Sequence, residues 1–186
     1  EVRLLAAERG LEHRARADDR YSNLRLRTSL ATIPRSYDLT LIDCPPSLGE
    51  LTRNALAAAD LAVIVTEPNH FAVHGAMEAC AAVEAVAAST SPRLRTAAVV
   101  VNRMRPDDPE HVLHRSLLTD THGELMFGQP IADCVAIATA QRAGSPIHAW
   151  AAPGSNDVAE VFDYLLDFLV PPRPPEPRIS IRKFLT

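Results

Sequence analysis

Three apolar runs punctuate the chain: "LTLID" at 39–43, "LAVIVT" at 61–66 and "TAAVVVN" at 96–102. Each is short and not strictly alternating, which predicts strands covered on both faces. Between them the apolar positions recur at helical spacing instead. "SLGELTRNALAAA" (47–59) opens on Ser47 with Glu50 three positions later, a spacing that predicts a capping box at a helix start. "FAVHGAMEACAAVEAVAAS" (71–89) reads as an alanine-rich helix. Further helices are expected over part of 109–120, over 134–143 and over 155–169. The last places Val158, Val161, Phe162, Leu165, Leu166 and Leu169 on one stripe. "SNLRLRTSLATI" (22–33) reads as one more helix ahead of the first strand. Strands alternating with helices predict parallel β-α-β units, hence an α/β fold: a parallel β-sheet with helices on both faces.

Composition narrows this picture only a little. The chain has 186 residues, 47% hydrophobic and 23% charged, enough for one packed domain. Its net charge of -4 supplies no bulk attraction to nucleic acid or anionic membrane, so such contact would need a local patch. Cys44, Cys80 and Cys134 are odd in number and widely spaced, which suggests neither a disulfide framework nor a zinc site. They are expected to be reduced and mostly buried. No uninterrupted apolar run approaches the roughly 18 residues of a membrane span. The chain begins at Glu1 and its first methionine is Met77, so it reads as a fragment of a longer protein. Residues 1–21 are read as a charged arm, 22–170 as the domain and 171–186 as a tail, with five prolines in "VPPRPPEPR".

The sharpest chemical feature is Asp43. A carboxylate at the C-terminal end of a parallel strand sits where ligands bind in open α/β sheets. In phosphate-transferring enzymes such an acid holds magnesium, directly or through a water; an aspartate that merely begins a turn would look the same. Pro45 and Pro46 follow at once, fixing two φ angles and removing two amide donors, so the exit has one shape.

With those residues in view, "YDLTLIDCPPSLGELTRNALAAAD" resembles the Walker B and switch II segment of the ParA/Soj/MinD family of deviant Walker-type P-loop ATPases. "VTEPNHFAVHGAMEA", "VVVNRM" and "PIADCVAIATAQRAGSPI" resemble later landmarks in order and spacing, so the likeness covers roughly 22–170 and is closest to the partition ParA branch. The resemblance implies a P-loop NTPase-like sheet, here incomplete at its N-terminus. It implies ATP and Mg2+ as cofactors, with Asp43 as the Walker B acid ordering the magnesium and its waters. Pro45, Pro46 and Ser47 would form the switch that senses the γ-phosphate. Asn102 would lie beside the adenine, with Ala132 and Asp133 forming the other wall. It further implies an ATP-dependent homodimer, a centromere-binding ParB-like partner, and non-specific binding to nucleoid DNA in the cytoplasm. Arg103, Arg105 and Arg115 fall in a stretch comparable to the family's DNA-binding surface, although "RMRPDDPEH" mixes in acids and reads more readily as a solvated loop than as a dedicated patch.

There are departures. Ile131-Ala132-Asp133-Cys134-Val135 stands where the partition branch usually has Ile-Pro-Arg-Asn-Val, Thr139 where an acid is common, and Val65 where a proline is common. The larger one is that no K-G-G-x-G-K-[ST] loop occurs in these residues; there is no G-x-G, and Lys183 is the only lysine. "GELMFGQP" (123–130) has the glycine spacing but ends in Gln129-Pro130. Since that loop's amides and lysine cradle the phosphates, the chain alone is not expected to bind ATP tightly or hydrolyse it. Two alternatives therefore stay open: a catalytically inactive ParA-like binding module docking through 47–59, and a membrane-cycling relative of the MinD type. The second would use "RISIRKFLT" (178–186), with Ile181, Phe184 and Leu185 opposite Arg178 and Arg182. His70 and His74, four apart near Glu67, have the spacing of a metal pair but coincide with helix-start positions of the family.

Overall fold

The structure is a computed structural model that describes residues 3–7, 10–11, 22–33 and 37–170. The tail 171–186, its "RISIRKFLT" end and most of the arm 1–21 lie outside the described residues. The chain divides into two compact units, residues 1–133 and 134–186.

The first unit holds a short 3-10 turn (Ser22–Leu24), α1 (Arg25–Ala31), α2 (Glu50–Ala58), β1 (Leu61–Thr66), α3 (His70–Ser89), β2 (Arg95–Val101) and α4 (Pro109–His122). β1 and β2 run parallel, from Leu61 opposite Arg95 to Thr66 opposite Val101, and α3 is the crossover between them. Beyond β2 the segment 126–132 runs alongside it. The amides of Phe127 and Ile131 donate to the carbonyls of Val99 and Val101 at 2.9 and 2.8 Å. β2 is thus flanked on both sides, which is why Ala98, Val99 and Val100 are fully buried. The glycine-spaced run 123–130 is spent on this pairing, and its Met126 amide on the Gly123 carbonyl, so it forms no phosphate cradle.

α3 is apolar and long enough to cross a bilayer by length and composition alone. His74, Glu78 and Glu84 interrupt it, and one face buries Ala76, Cys80 and Val83. Ala76 joins Val101, Met104 and Leu118 in one core cluster, while Val83 joins Ala62 and Leu94 in another. Asn69 caps α3 by accepting the Ala72 amide, and Asp108 caps α4 by accepting the Glu110 amide. Asn54, buried on α2, donates to the Glu50 carbonyl and accepts the Leu26 amide, tying α1 to α2.

Two local expectations fail. The run 39–43 belongs to no strand: among the described residues the sheet has two strands, and Leu41 is 83% exposed. An extended apolar segment becomes a strand only when a neighbour takes its amides and carbonyls. Among the described residues no strand pairs with 39–43, and none pairs with the outer edge of β1, where Val65 is 62% exposed. The capping box is also absent. α2 starts two residues later, with Gly49 in the N-cap position, and the Thr52 hydroxyl donates to the Ser47 carbonyl.

Backbone protection should follow this division. Hydrogen exchange is expected to be at least about 100-fold slower at Val99–Val101 than at Leu39–Asp43. Comparable rates in the two stretches would contradict the pairing described.

In the second unit, α5 (Val135–Arg142) and α6 (Ser155–Leu169) are joined through a 3-10 turn, Ile147–Ala149. The Trp150 indole donates to Thr139 Oγ1 at 3.2 Å. Gly154 precedes α6 at φ 79°, and a Cβ there would meet Cys134 Sγ at 3.0 Å, so glycine is required twice over.

Candidate functional site

β1 and β2 end level, so Glu67 and Asn102 are the first residues past the C-terminal edge of the sheet. This is the side on which open parallel sheets bind ligands. The Asn102 amide donates to the Thr66 carbonyl at 2.8 Å, extending the ladder by one step and fixing where Asn102 leaves it. Its side-chain Oδ1 accepts the Arg103 amide at 2.9 Å. Arg103 then turns through φ 55°, among the described residues the one non-glycine with positive φ. That conformation costs an L-residue roughly 1–2 kcal/mol. The Arg103 guanidinium reaches back across the strand ends to Glu67, Nη1 to Oε1 at 3.2 Å.

The segment 131–133 closes against this turn. The Met104 amide donates to the Ile131 carbonyl at 2.9 Å and the Asp133 amide to the Met104 carbonyl at 3.0 Å. Asn102, Ala132 and Asp133 are thereby carried on adjacent stretches of backbone, Ala132 and Asp133 exposed and Asn102 half-buried. Asn102 Nδ2 and the Asp133 carboxylate have no partner among the described residues, which leaves polar groups of both signs for a ligand.

Asp43, Pro45, Pro46 and Ser47 precede α2 in the chain. All four are exposed in the irregular stretch before α2, and no hydrogen bond or ion pair among the described residues joins them to 102–105 or 131–133. The structure thus carries Asn102, Ala132 and Asp133 on adjacent backbone, with Asp43 and 45–47 outside that hydrogen-bonded group. A lone exposed carboxylate fits magnesium in one way: the ion typically takes one or two protein carboxylates and completes its shell with phosphates and waters. No group of three His, Cys, Asp or Glu residues able to hold a metal occurs among the described residues. Asp43 alone would fit a magnesium that brings phosphates and waters for the rest of its shell. Next to it, partial desolvation and then the Asp43 carboxylate push the Cys44 thiol above its ordinary pKa. Cys44 is exposed, unlike the buried Cys80, so the expectation of mostly buried thiols fails there.

The three arginines expected on a nucleic-acid surface are each engaged within the chain. Arg103 meets Glu67, Arg105 meets Asp108 at 2.9 Å, and Arg115 donates to the Gly128 carbonyl at 3.0 Å. Two of the three charges face a carboxylate, and Arg115 is held by a backbone carbonyl. His74 lies 3.7 Å from Glu78 and His70 lies edge-on to Phe71 and His114, so the two histidines do not converge. The Glu67–Arg103 pair was not visible in the sequence; the one available signal was an arginine directly after an asparagine at a strand end.

Comparison with known proteins adds the following. A family model described as "AAA domain" matches residues 1–96. The chromosome-partitioning ATPase Soj of Thermus thermophilus is 36% identical over 125 residues, 64% of this chain and 49% of Soj. Among solved structures, cobyrinic acid a,c-diamide synthase from Mycobacterium smegmatis, with bound ADP and magnesium, superposes with a TM-score of 0.65 at 21% identity. That match covers 87% of this chain and 59% of the synthase. A plasmid partition protein from Borrelia burgdorferi gives 0.60 at 18% identity, over 83% of this chain and 58% of its own. At those identities the structures establish the fold alone. The chain spans about half or less of the length of curated relatives that it matches.

Proposed function

Because the chain belongs to the ParA family of P-loop ATPases, we propose that it supplies the magnesium and base-contacting parts of an ATPase that segregates chromosomes or plasmids. The observation that carries this reading is the meeting of Asn102 with Ala132 and Asp133 at the C-terminal edge of the parallel strands. Asn102 offers its free Nδ2 and the second lone pair of Oδ1, which match the N7 acceptor and N6 donor of adenine. Asp43 orders magnesium and its waters, and Pro45, Pro46 and Ser47 link the phosphate end to the dimer surface. Bound Mg-ATP supplies the scissile phosphoanhydride and the charge that Asp43 answers. The phosphates themselves need a glycine-rich loop, which none of these 186 residues provides.

In this reading ATP closes a homodimer that binds nucleoid DNA without sequence preference, in the cytoplasm, and a centromere-binding ParB-like partner promotes hydrolysis and release. Arg103 and Arg105 would contact DNA only by exchanging Glu67 and Asp108 for phosphate oxygens. DNA binding through so few contacts is weak and falls steeply with salt. The test uses the protein expressed from its complete reading frame, with a non-specific DNA duplex. Retention on the duplex is expected with Mg-ATP at low salt, and release at high salt. Retention that ignores nucleotide would instead favour the inactive binding module, and retention on anionic vesicles in place of DNA the MinD-type alternative.

A further inference from the structure

We infer that Glu67 and Arg103 form a positioning clamp that aims the Asn102 amide into the base pocket; this rests on the reading of Asn102 given above. Arg103 holds a strained backbone, and strain of this kind persists where the surroundings over-determine it, typically beside a ligand. Stability does not account for it. The Arg103–Glu67 pair is exposed, its side chains 64% and 45% accessible, and such pairs add little to folding. What the arrangement achieves is directional. The turn at Arg103 presents its amide to Asn102 Oδ1, so one end of the carboxamide is pinned. The guanidinium anchors the same residue to Glu67 at the end of the neighbouring strand. The Asn102 amide donates to the Thr66 carbonyl, one residue before Glu67. Two strand ends and one turn therefore fix a single side chain, with Nδ2 left unspent. The charged groups on the elements around the clamp hold one another: Arg105 pairs with Asp108, which also faces His111 at 3.6 Å, and His114 turns to Glu110. None of them substitutes for Glu67 on Arg103 among the described residues.

The experiment uses the full chain, with adenosine and guanosine as probes and NMR as the readout. Asn102→Ala identifies the Asn102 side-chain amide resonances by their loss. Glu67→Gln removes the charge at constant shape, and Arg103→Gly accepts the positive φ while removing the guanidinium. Both variants are expected to melt as the parent does and to collapse the Asn102 amide pair toward solvent-averaged shifts. Both should weaken adenosine roughly five- to tenfold, about what the loss of one hydrogen bond is worth. The adenosine preference over guanosine should narrow with it. The exchanged pair Glu67→Arg with Arg103→Glu should restore part of that preference. Unchanged Asn102 amide shifts and unchanged adenosine affinity in both variants would overturn the clamp, even where Asn102→Ala abolishes binding. If the amide shifts collapse as expected but the parent binds no adenosine, the clamp stands and the base-pocket reading falls.

Discussion

Replacing Asp43 by alanine is expected to abolish ATP turnover in the protein expressed from its complete reading frame, and to leave the melt of the domain nearly unchanged. The second half follows from what Asp43 touches. It is exposed in an irregular stretch, and no hydrogen bond or ion pair of its carboxylate occurs among the described residues. Surface substitutions of that kind stay within about 0.5 kcal/mol. The first half follows from magnesium chemistry. A single carboxylate is all that the protein brings to the ion from this stretch, so its loss removes the charge against which the nucleotide's magnesium is set. Losing one such preorganised electrostatic contact costs roughly 10²–10³ in turnover. Asp43→Asn should do nearly as much damage, because it keeps the shape and removes the charge. The measurement is phosphate release under saturating Mg-ATP, read beside a urea melt. Parental turnover with either variant would remove Asp43 from the mechanism.

That contrast also explains how much of the molecule was legible beforehand. Strands 61–66 and 95–101 and helix 155–169 were readable because burial writes its period directly into the side chains. "LTLID" carries the same writing, yet forms no strand, since composition encodes a willingness to pair and not the presence of a partner. The capping box failed for a related reason: Ser47 and Glu50 have the right spacing, but the Thr52 hydroxyl competes for Ser47 and the helix waits until Gly49. In the site, Asn102 and Ala132–Asp133 could be named through resemblance to a family. The clamp that holds Asn102 could not, because Glu67 and Arg103 lie 36 positions apart and meet only when two strands end level. Arg103, Arg105 and Arg115 look alike in one dimension, but in the fold Arg103 and Arg105 each face a carboxylate while Arg115 donates to a backbone carbonyl.

Leu118→Ala is expected to have the largest effect on stability. Among the fully buried side chains Leu118 is the largest by volume, followed by Val99, Val100, Val101 and Ser155. The core is thus built mainly of alanine and valine, and one leucine from α4 fills the space between Ala76 on α3, Val101 on β2 and Met104. A buried leucine cut to alanine costs about 2–5 kcal/mol, part of it from the cavity left behind. Whole domains are stable by only about 5–15 kcal/mol. Here the loss falls on a sheet that has two strands among the described residues, so the variant should lose most of its cooperative urea transition. Leu118→Met keeps the volume and should cost less than about 1.5 kcal/mol. The site should feel the same change, because Met104 touches Leu118 on one side and bonds Ile131 and Asp133 through its backbone on the other. Conditions in which Leu118→Ala still folds should therefore show faster hydrogen exchange at Met104 and Asp133 than at Val99. An alanine variant with the parent's urea midpoint would mean that α4 is not held by this contact, and that the base pocket is supported from elsewhere.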